Sequence, residues 1–168
     1  MNIAPYPSFS SILVRALVAY SVYEHRYEGG TATAIRLTLH RRGCTLEDDG
    51  RGIGLHREGY VTGLVEQLAV RGGAVALHGL GLALISMSSP SMAIESRRDG
   101  RKYSQHFSWG VAQGGVQAEP WEGPSGSRIT FTLQDSATEI DIDEVAAQVQ
   151  LWRSAHPELR IDVAQGAG

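Results

Sequence analysis

The hydrophobic pattern of this chain changes its period near residue 92, and this change restricts the possible folds. Before this point the segment 11–26 is apolar around most of a helical circumference, which is typical of a buried helix. Beyond it, apolar and polar residues alternate on both sides of Asp99 and Gly100, a pair that favours a tight β-hairpin turn. Helical and alternating segments in one chain predict an α+β fold, in which helices cover one face of a mixed sheet.

The other segments fit the same architecture. Strands are predicted at 32–40, 44–47, 92–97, 102–109, 127–133 and 159–163, helices at 11–26, 61–70, 78–87 and 142–153, and a loop at 114–126. Ser10 or Ser11 is expected to cap the first helix. A chain of 168 residues is long enough for one domain and short for two. We therefore expect an N-terminal arm at 1–10 and a single domain at 11–165.

Composition excludes several classes of protein. A hydrophobic fraction of 42% excludes wholesale disorder, and a net charge of −3 excludes a strongly basic nucleic-acid coat, so direct nucleic-acid binding is not expected. Cys44 is the single cysteine, which rules out an intramolecular disulfide and favours a reducing compartment. The apolar run 12–23 is interrupted by Arg15 and is shorter than the roughly 20 residues that span a membrane. These features favour a cytoplasmic protein without a membrane partner.

Two glycine-rich segments carry candidate chemistry. Asp48 follows a predicted strand and precedes Gly50 and Gly52, so a fixed carboxylate would stand beside backbone that a flat ligand can approach closely. A carboxylate accepts hydrogen bonds and suits an exocyclic amine such as that of adenine. Gly79 and Gly81 open a predicted helix, where free N–H groups favour phosphate. The combination indicates a nucleotide site, although glycine-rich turns also serve as plain connections.

The order of the motifs is more specific than any one of them. The segments LEDDGRGIG, LHGLGLALIS, ESRRDGRKYSQHF and GPSGSRITFTL follow one another in this chain. Together they resemble the Bergerat-fold ATPase domain of the DNA gyrase B subunit and its topoisomerase IV counterpart, over about residues 32–163. The resemblance implies a two-layer sandwich with a mixed sheet under helices, and ATP or ADP as the ligand.

The resemblance also implies roles for individual residues. Asp48 matches the carboxylate that receives the adenine amine, and Ser127 stands where a threonine helps to hold adenine through water. The full set of matching nucleotide-binding positions is Asp48, Gly52, Ile53, Gly79, Leu80, Gly81 and Ser127. Asp49, beside the adenine carboxylate, is expected to have a structural role in its loop, and the charged segment 97–102 is expected to be a solvated hairpin tip.

The first helix departs from the family pattern. The resemblance implies a glutamate that activates the attacking water and, one turn later, an asparagine that binds magnesium. Counting back from Ile35 without a gap places Val18 and Val22 at these positions, and valine can neither accept a proton nor ligate a hard cation. Glu24, the nearest carboxylate, lies about 9 Å along the axis and about 120° away from Val18. His25 is on the side of the valines, where packing or solvent exposure is the simpler expectation than a phosphate contact.

Two further departures concern the phosphate end. The family has a long glycine-flanked lid before LHGxG, whereas here the segment 72–76 leads directly into Leu77 and the expected glycine pair is Val75 and Ala76. The resemblance ends near Val163, so the next family domain, which supplies a lysine to the γ-phosphate, and the DNA-cleaving regions are not matched. We therefore do not expect this chain alone to act as a topoisomerase.

These observations predict a gyrase-B-like module that binds ATP or ADP, with little dependence on magnesium and little or no hydrolysis. It is more simply a binding protein than an enzyme; as an enzyme it would be an ATPase of the gyrase B type. Three alternatives stay open. The chain could be a pseudo-ATPase scaffold for a protein partner, an ATPase that a partner or a shifted first helix completes, or a modulator of gyrase or topoisomerase.

Overall fold

A computed structural model describes residues 8–26, 30–57, 59–62, 77–134 and 139–166. The helices are α1 (Phe9–Arg26), α2 (Leu77–Ser88) and α3 (Ile142–Ala155), with a 3₁₀ turn at Gly54–His56. The strands are β1 (Ala34–His40), β2 (Gly43–Asp48), β3 (Ser91–Arg98), β4 (Arg101–Ser108), β5 (Val111–Ala112), β6 (Gln117–Pro120), β7 (Gly126–Thr132) and β8 (Arg160–Gln165). Among the described residues, none of the helices combines the length and apolar character needed to cross a membrane.

The strands form one mixed sheet. Their order is β5-β4-β3-β7-β2-β1-β8, and β6 pairs with β4 beside this path. β8 pairs with β1 in parallel, with Ala34 opposite Arg160. The other described pairings, including β2 with β7, are antiparallel. This mixed sheet with helices packed on it confirms the predicted α+β fold.

The core lies between the helices and one face of the sheet. Alternate residues of the central strands are fully buried, among them Ile35, Leu37, Leu39, Leu46, Ile94, Ile129 and Phe131. The helices contribute Leu13, Val14, Leu17, Leu82, Ile85, Val145 and Val149 to the same cluster. Burying a side chain of this size contributes about 1.5–3 kcal/mol, so the two layers are held together mainly by apolar contact.

The opposite face of the sheet carries a row of alternating charges, here called the charged row. Cross-strand pairing places Glu95 beside Arg128, Arg128 beside Glu47, Glu47 beside Arg36, and Arg36 beside Asp162. Arg128 Nε lies 3.8 Å from a Glu47 carboxylate oxygen. Opposite charges on facing positions stabilise a sheet by a few tenths of a kcal/mol to about 1 kcal/mol per pair. The charged row gives the centre of this face a polar surface.

Most predicted elements are confirmed, with small shifts at their ends. The Asp99-Gly100 turn joins β3 to β4 with positive φ at both residues, 53° and 71°, as a tight hairpin turn requires. The cap prediction for α1 is wrong: the hydroxyl of Ser8 accepts the N–H of Ser11, and the helix begins at Phe9. The predicted helix 61–70 lies mostly outside the described residues, which show helix only at 60–62.

The predicted loop 114–126 is wrong in part. Its middle forms β6, which pairs antiparallel with β4 through Arg101 opposite Pro120 and Ser104 opposite Gln117. All four residues of β6 are exposed. A strand with both faces in solvent has no apolar alternation, so the sequence pattern carries no signal for it.

Asp49 has the structural role expected of it. Its carboxylate accepts the backbone N–H groups of Thr33 (2.7 Å) and Ala34 (2.8 Å) and the hydroxyl of Thr33. Burial raises the pKa of this carboxyl, but the hydrogen bonds from Thr33 and Ala34 outweigh burial and leave it below its usual value. Asp49 therefore fastens the start of β1 beside the end of β2.

Candidate functional site

Asp48 is a buried carboxylate at the end of β2. Its side chain is 5% exposed. The backbone N–H of Gly50 donates to one carboxylate oxygen at 3.0 Å, and the hydroxyl of Ser21 on α1 donates to the other at 3.2 Å. The strand fixes the carboxylate, and both α1 and the following loop are oriented around it.

Burial raises the pKa of Asp48 to about 6. The hydrogen bonds from Gly50 and Ser21 act against burial, and the nearby charge of Glu24 adds to it. At neutral pH the carboxylate is therefore ionised in an environment that solvates it poorly. Such a group would be stabilised by an additional hydrogen-bond donor, which makes it a candidate acceptor for a ligand amine.

The loop after Asp48 is fastened to two neighbouring strands. Gly52 has φ +86°, a conformation that favours glycine. The backbone N–H of Ile53 donates to the Ser127 hydroxyl of β7 at 3.2 Å, and the Ile53 carbonyl accepts the Ser96 hydroxyl of β3 at 2.6 Å. The structure thus brings four predicted residues together, since Asp48 and Ser127 are also register partners. The Ser127 hydroxyl is engaged with the loop itself.

A cavity of about 400 Å³ lies on the outer side of this loop. We call it the loop cavity. It is lined by Tyr20, Tyr23 and Glu24 of α1, by Arg51, Gly52, Ile53 and Gly54 of the loop, and by His56, Arg57, Tyr60 and Arg98. Three guanidinium groups and one carboxylate among these residues make its wall predominantly cationic.

The charged groups of the loop cavity are partly paired with one another. Arg51 Nε lies 2.8 Å from a carboxylate oxygen of Glu24, which ties the loop to α1. The guanidinium of Arg57 stacks over the ring of Tyr60, 5.0 Å from its centroid. Burial lowers the pKa of His56, and the charges of Arg98 and Arg57 lower it further. His56 is therefore largely neutral at neutral pH, and the arginines supply the positive charge.

Tyr20 lies at the inner end of the loop cavity. Its side chain is 8% exposed. Burial raises the pKa of its phenol well above the usual value, and a hydrogen bond with the phenol of Tyr60 and the nearby charges of Asp48 and Glu24 raise it further. Asp48 is not among the residues that line the described loop cavity. Ser21, the next residue of α1, is the one that contacts the carboxylate.

The residues that α1 turns toward the loop cavity differ from those expected. Val18 and Val22 are 1% and 2% exposed and belong to the apolar core. The loop cavity is lined instead by Tyr20 and Glu24. The prediction that Val18 and Val22 face the ligand site is therefore wrong for the loop cavity. Glu24 lines this cavity, although the residue count placed its side chain away from the site.

The start of α2 packs directly on α1. A Cβ atom on Gly81 would lie 2.9 Å from the carbonyl oxygen of Ala16, so only glycine permits this approach. Gly79 and Leu80 lie in the first turn of the same helix. The predicted lid, residues 72–76, lies outside the described residues. Among the residues predicted to bind phosphate, Gly81 is thus packed against Ala16 of α1. Ala16 lies one helical turn before Tyr20.

Sequence reasoning missed three residues at the site: Ser21, which donates to the carboxylate, and Tyr20 and Tyr60, which line the loop cavity. Ser21 carried a usable signal, because a serine in a helix that is apolar on nearly all sides needs a buried hydrogen-bond partner. The two tyrosines carried none, since tyrosine is common in apolar helices and at their ends. No group of three or more metal-ligating side chains is present in the part of the chain that the structure describes.

His25 lies at the end of α1, outside the lining of the described loop cavity. One ring nitrogen is 2.6 Å from the Ala32 carbonyl, and the other is 3.0 Å from a carboxylate oxygen of Glu158. The bond to the Ala32 carbonyl and then the one to Glu158 raise the pKa of His25. His25 therefore ties α1 to the segments that flank β1 and β8.

The stability of the fold is expected to fall as the pH rises through the raised pKa of His25. Because the folded-state pKa lies above the unfolded value, this stabilisation is complete below the unfolded pKa of about 6.5 and is lost above the folded one. Thermal unfolding at slightly acidic and slightly alkaline pH measures the difference. His25→Gln should remove it, while His106→Gln, on an exposed position of β4, should leave it. An equal pH effect in the His25→Gln variant would contradict the assignment.

The chain is similar in sequence to the B subunits of bacterial topoisomerase IV. It is 27% identical over 139 aligned residues to the DNA topoisomerase 4 B subunit of Staphylococcus epidermidis, a match that covers 72% of this chain and 21% of the relative. The protein of the same name from Staphylococcus aureus strain MW2 is 26% identical over the same length and share. The chain spans about a fifth of the length of these relatives. No protein-family model matches it. This weak homology points to a gyrase-B-like domain.

Proposed function

We propose that this chain binds an adenine nucleotide, with the base at a corner formed by Asp48, Gly52, Ile53 and Ser127. The observation that carries the proposal is the buried Asp48 carboxylate, which has a pKa raised to about 6 and accepts from the Gly50 N–H, the Ser21 hydroxyl and the Ser127 N–H. A carboxylate has about four acceptor sites, so it can take a further N–H such as that of the adenine amine. The similarity to the topoisomerase IV B subunits supports this ligand class.

In this proposal, any phosphates that extend past Tyr20 lie at the start of α2. Gly79, Leu80 and Gly81 occupy its first turns, where backbone N–H groups and the helix dipole favour anions. The contact between Gly81 and Ala16 supports this placement of the phosphates. It brings the start of α2 beside α1, one helical turn before Tyr20.

We infer that turnover of the nucleotide is slow. Ala16, which contacts α2, and Tyr20, which lines the loop cavity, lie one turn apart on α1. Neither carries the carboxylate or amide that the family resemblance implies for activating water and binding magnesium. The inference of slow hydrolysis, first drawn from Val18 and Val22, therefore rests on Ala16 and Tyr20 instead. Loss of a general base costs about 10²–10⁴-fold in rate. Glu24 is the carboxylate in reach of the loop cavity, and Arg51 neutralises it.

Calorimetric titration with ADP and with ATP, each with magnesium and with EDTA, tests the proposal. We expect heat of binding in EDTA and phosphate release no faster than the buffer background. Absence of heat with ADP and ATP and also with adenosine, at millimolar concentration, would reject the adenine site. Strict dependence on magnesium would reject the inference about Ala16 and Tyr20. Steady phosphate release that Glu24→Gln abolishes would favour an ATPase that Glu24 or a partner completes.

A protein-binding scaffold without nucleotide is the second candidate function. The observation in its favour is the burial of Asp48, which is 5% exposed and already holds a hydrogen bond from Ser21. Such a scaffold would keep its surface for a protein partner, including a topoisomerase. A supercoiling assay with added protein tests that case, and an effect on supercoiling without any nucleotide binding would favour the scaffold.

A further inference from the structure

Tyr20 occupies a particular place on α1. Its ring lines the inner end of the loop cavity, it is almost fully buried, and its phenol shares a hydrogen bond with Tyr60, which lines the same cavity. Ser21, the next residue, donates to Asp48. The charge of Asp48 acts on the phenol of Tyr20, so this phenol lies near the carboxylate at the end of β2.

The same face of α1 leads from Tyr20 to α2. Ala16 lies one turn before Tyr20, about 6 Å along the helix axis. The carbonyl and Cβ of Ala16 touch the position of Gly81 near the start of α2. Tyr20 is therefore near Asp48 and one helical turn from the α1 residue that contacts α2.

We propose that Tyr20 determines which ligand the adenine site accepts, and that the site takes adenosine or its monophosphate in preference to the triphosphate. The inference rests on the function proposed above and adds a size limit to it. A ligand that reaches from Asp48 to α2 must displace the Tyr20 ring, which breaks the hydrogen bond with Tyr60 and exposes a buried aromatic surface. A ligand that ends before Tyr20 avoids both costs.

The chemistry of the Tyr20 phenol also disfavours the triphosphate. A magnesium ion that accompanies a triphosphate prefers carboxylate and phosphate oxygens and keeps several of its waters. A neutral, buried phenol offers it no charge and little room. Binding at this site is therefore expected to be independent of divalent cations.

The test compares adenosine, AMP, ADP and ATP by calorimetry, in EDTA and in magnesium. In the unaltered protein, adenosine and AMP should bind at least as tightly as ATP, without a magnesium effect. Tyr20→Ala should raise the affinity for ATP relative to adenosine by about tenfold or more, equivalent to about 1.4 kcal/mol. Tyr20→Phe and Tyr60→Phe keep the rings and remove their hydrogen bond, so both should shift the ratio in the same direction by a smaller factor.

Leu17→Ala is the control for general loosening of α1. It removes a fully buried side chain from the same helix and does not line the loop cavity, so it should lower stability and leave the affinity ratio unchanged. ATP binding tighter than adenosine in the unaltered protein, with no change in the Tyr20 variants, would overturn the size limit while the adenine site stands. Failure of adenosine to bind the unaltered protein and both Phe variants would overturn the adenine site as well.

Discussion

Replacing Asp48 with asparagine is expected to stabilise the fold at neutral pH and to abolish most of the nucleotide binding. The folded-state pKa of this carboxyl is about 6, against 3.8 for the free side chain. A raised pKa means that the folded state holds the proton more tightly, so stability falls as the pH rises from about 4 to about 6 and stays at the lower level above that. The neutral amide avoids this loss, which amounts to about 2–3 kcal/mol.

Asparagine can also keep two of the hydrogen bonds of Asp48, those with Gly50 and Ser21. Its carbonyl oxygen can accept the Gly50 N–H, and its amide group can donate to the Ser21 hydroxyl. The same amide group, however, presents donors where an adenine amine needs an acceptor. We expect the affinity for adenosine to fall by about 10–100-fold, because the amine loses its partner in a buried site.

Thermal unfolding across the range from acidic to neutral pH measures the first effect, and adenosine titration measures the second. Asp162→Asn is the matched control, since Asp162 lies half exposed on β8 beside Arg160, 3.2 Å away. It should change neither result. A lower melting temperature for Asp48→Asn at neutral pH, or an unchanged loss of stability between acidic and neutral pH, would contradict the assignment of a buried, strained charge.

Gly52→Ala should cause a large loss of stability. A Cβ at this position would lie 2.8 Å from the Ser96 hydroxyl and 2.9 Å from the Arg97 carbonyl, at φ +86°. Backbone at positive φ costs an alanine about 1–2 kcal/mol, and the contact with β3 adds about 2 kcal/mol more by forcing the loop outward. The Ser96–Ile53 hydrogen bond would break with it.

Gly114→Ala measures the cost of positive φ separately from the cost of the steric contact. Gly114 has φ +99°, and nothing lies within 4 Å of an added Cβ. Urea unfolding should therefore show a clearly smaller loss for Gly114→Ala than for Gly52→Ala. Equal losses would mean that the loop is free to move from β3, contrary to its two hydrogen bonds with the serines of β3 and β7.

Helices and strands were predictable from the sequence where burial of one face gives the apolar residues a regular spacing. The hairpin around Asp99 and Gly100 and the central strands follow from alternation, because one face of each strand is packed under the helices. β6 was not predictable, since both of its faces meet solvent. The meeting of Asp48 with Ser127 followed from the family resemblance, and the binding roles assigned to them stay predictions.

The orientation of α1 was the main failure, and its cause is geometric. When a helix is apolar on nearly every side, its sequence does not indicate which of its faces lies against a binding site. Counting residues from Ile35 fixes that face only if the connecting loop has the family's length, because each extra residue turns the helix by 100° and two turn it by about 200°. Val18 and Val22 lie in the core, and Tyr20 and Glu24, each two positions further along, line the loop cavity. A difference of two positions in the count produces this displacement.

The parallel pairing of β1 with β8 has a consequence for synthesis of the chain on the ribosome. β1 is made early, and β8 supplies one of its two neighbours only after Arg160 has emerged. Until then the outer edge of β1 carries unpaired backbone groups, which offer a template for association with another chain. A nascent polypeptide halted before Arg160 would expose this edge, so completion of translation and closure of the sheet are linked events.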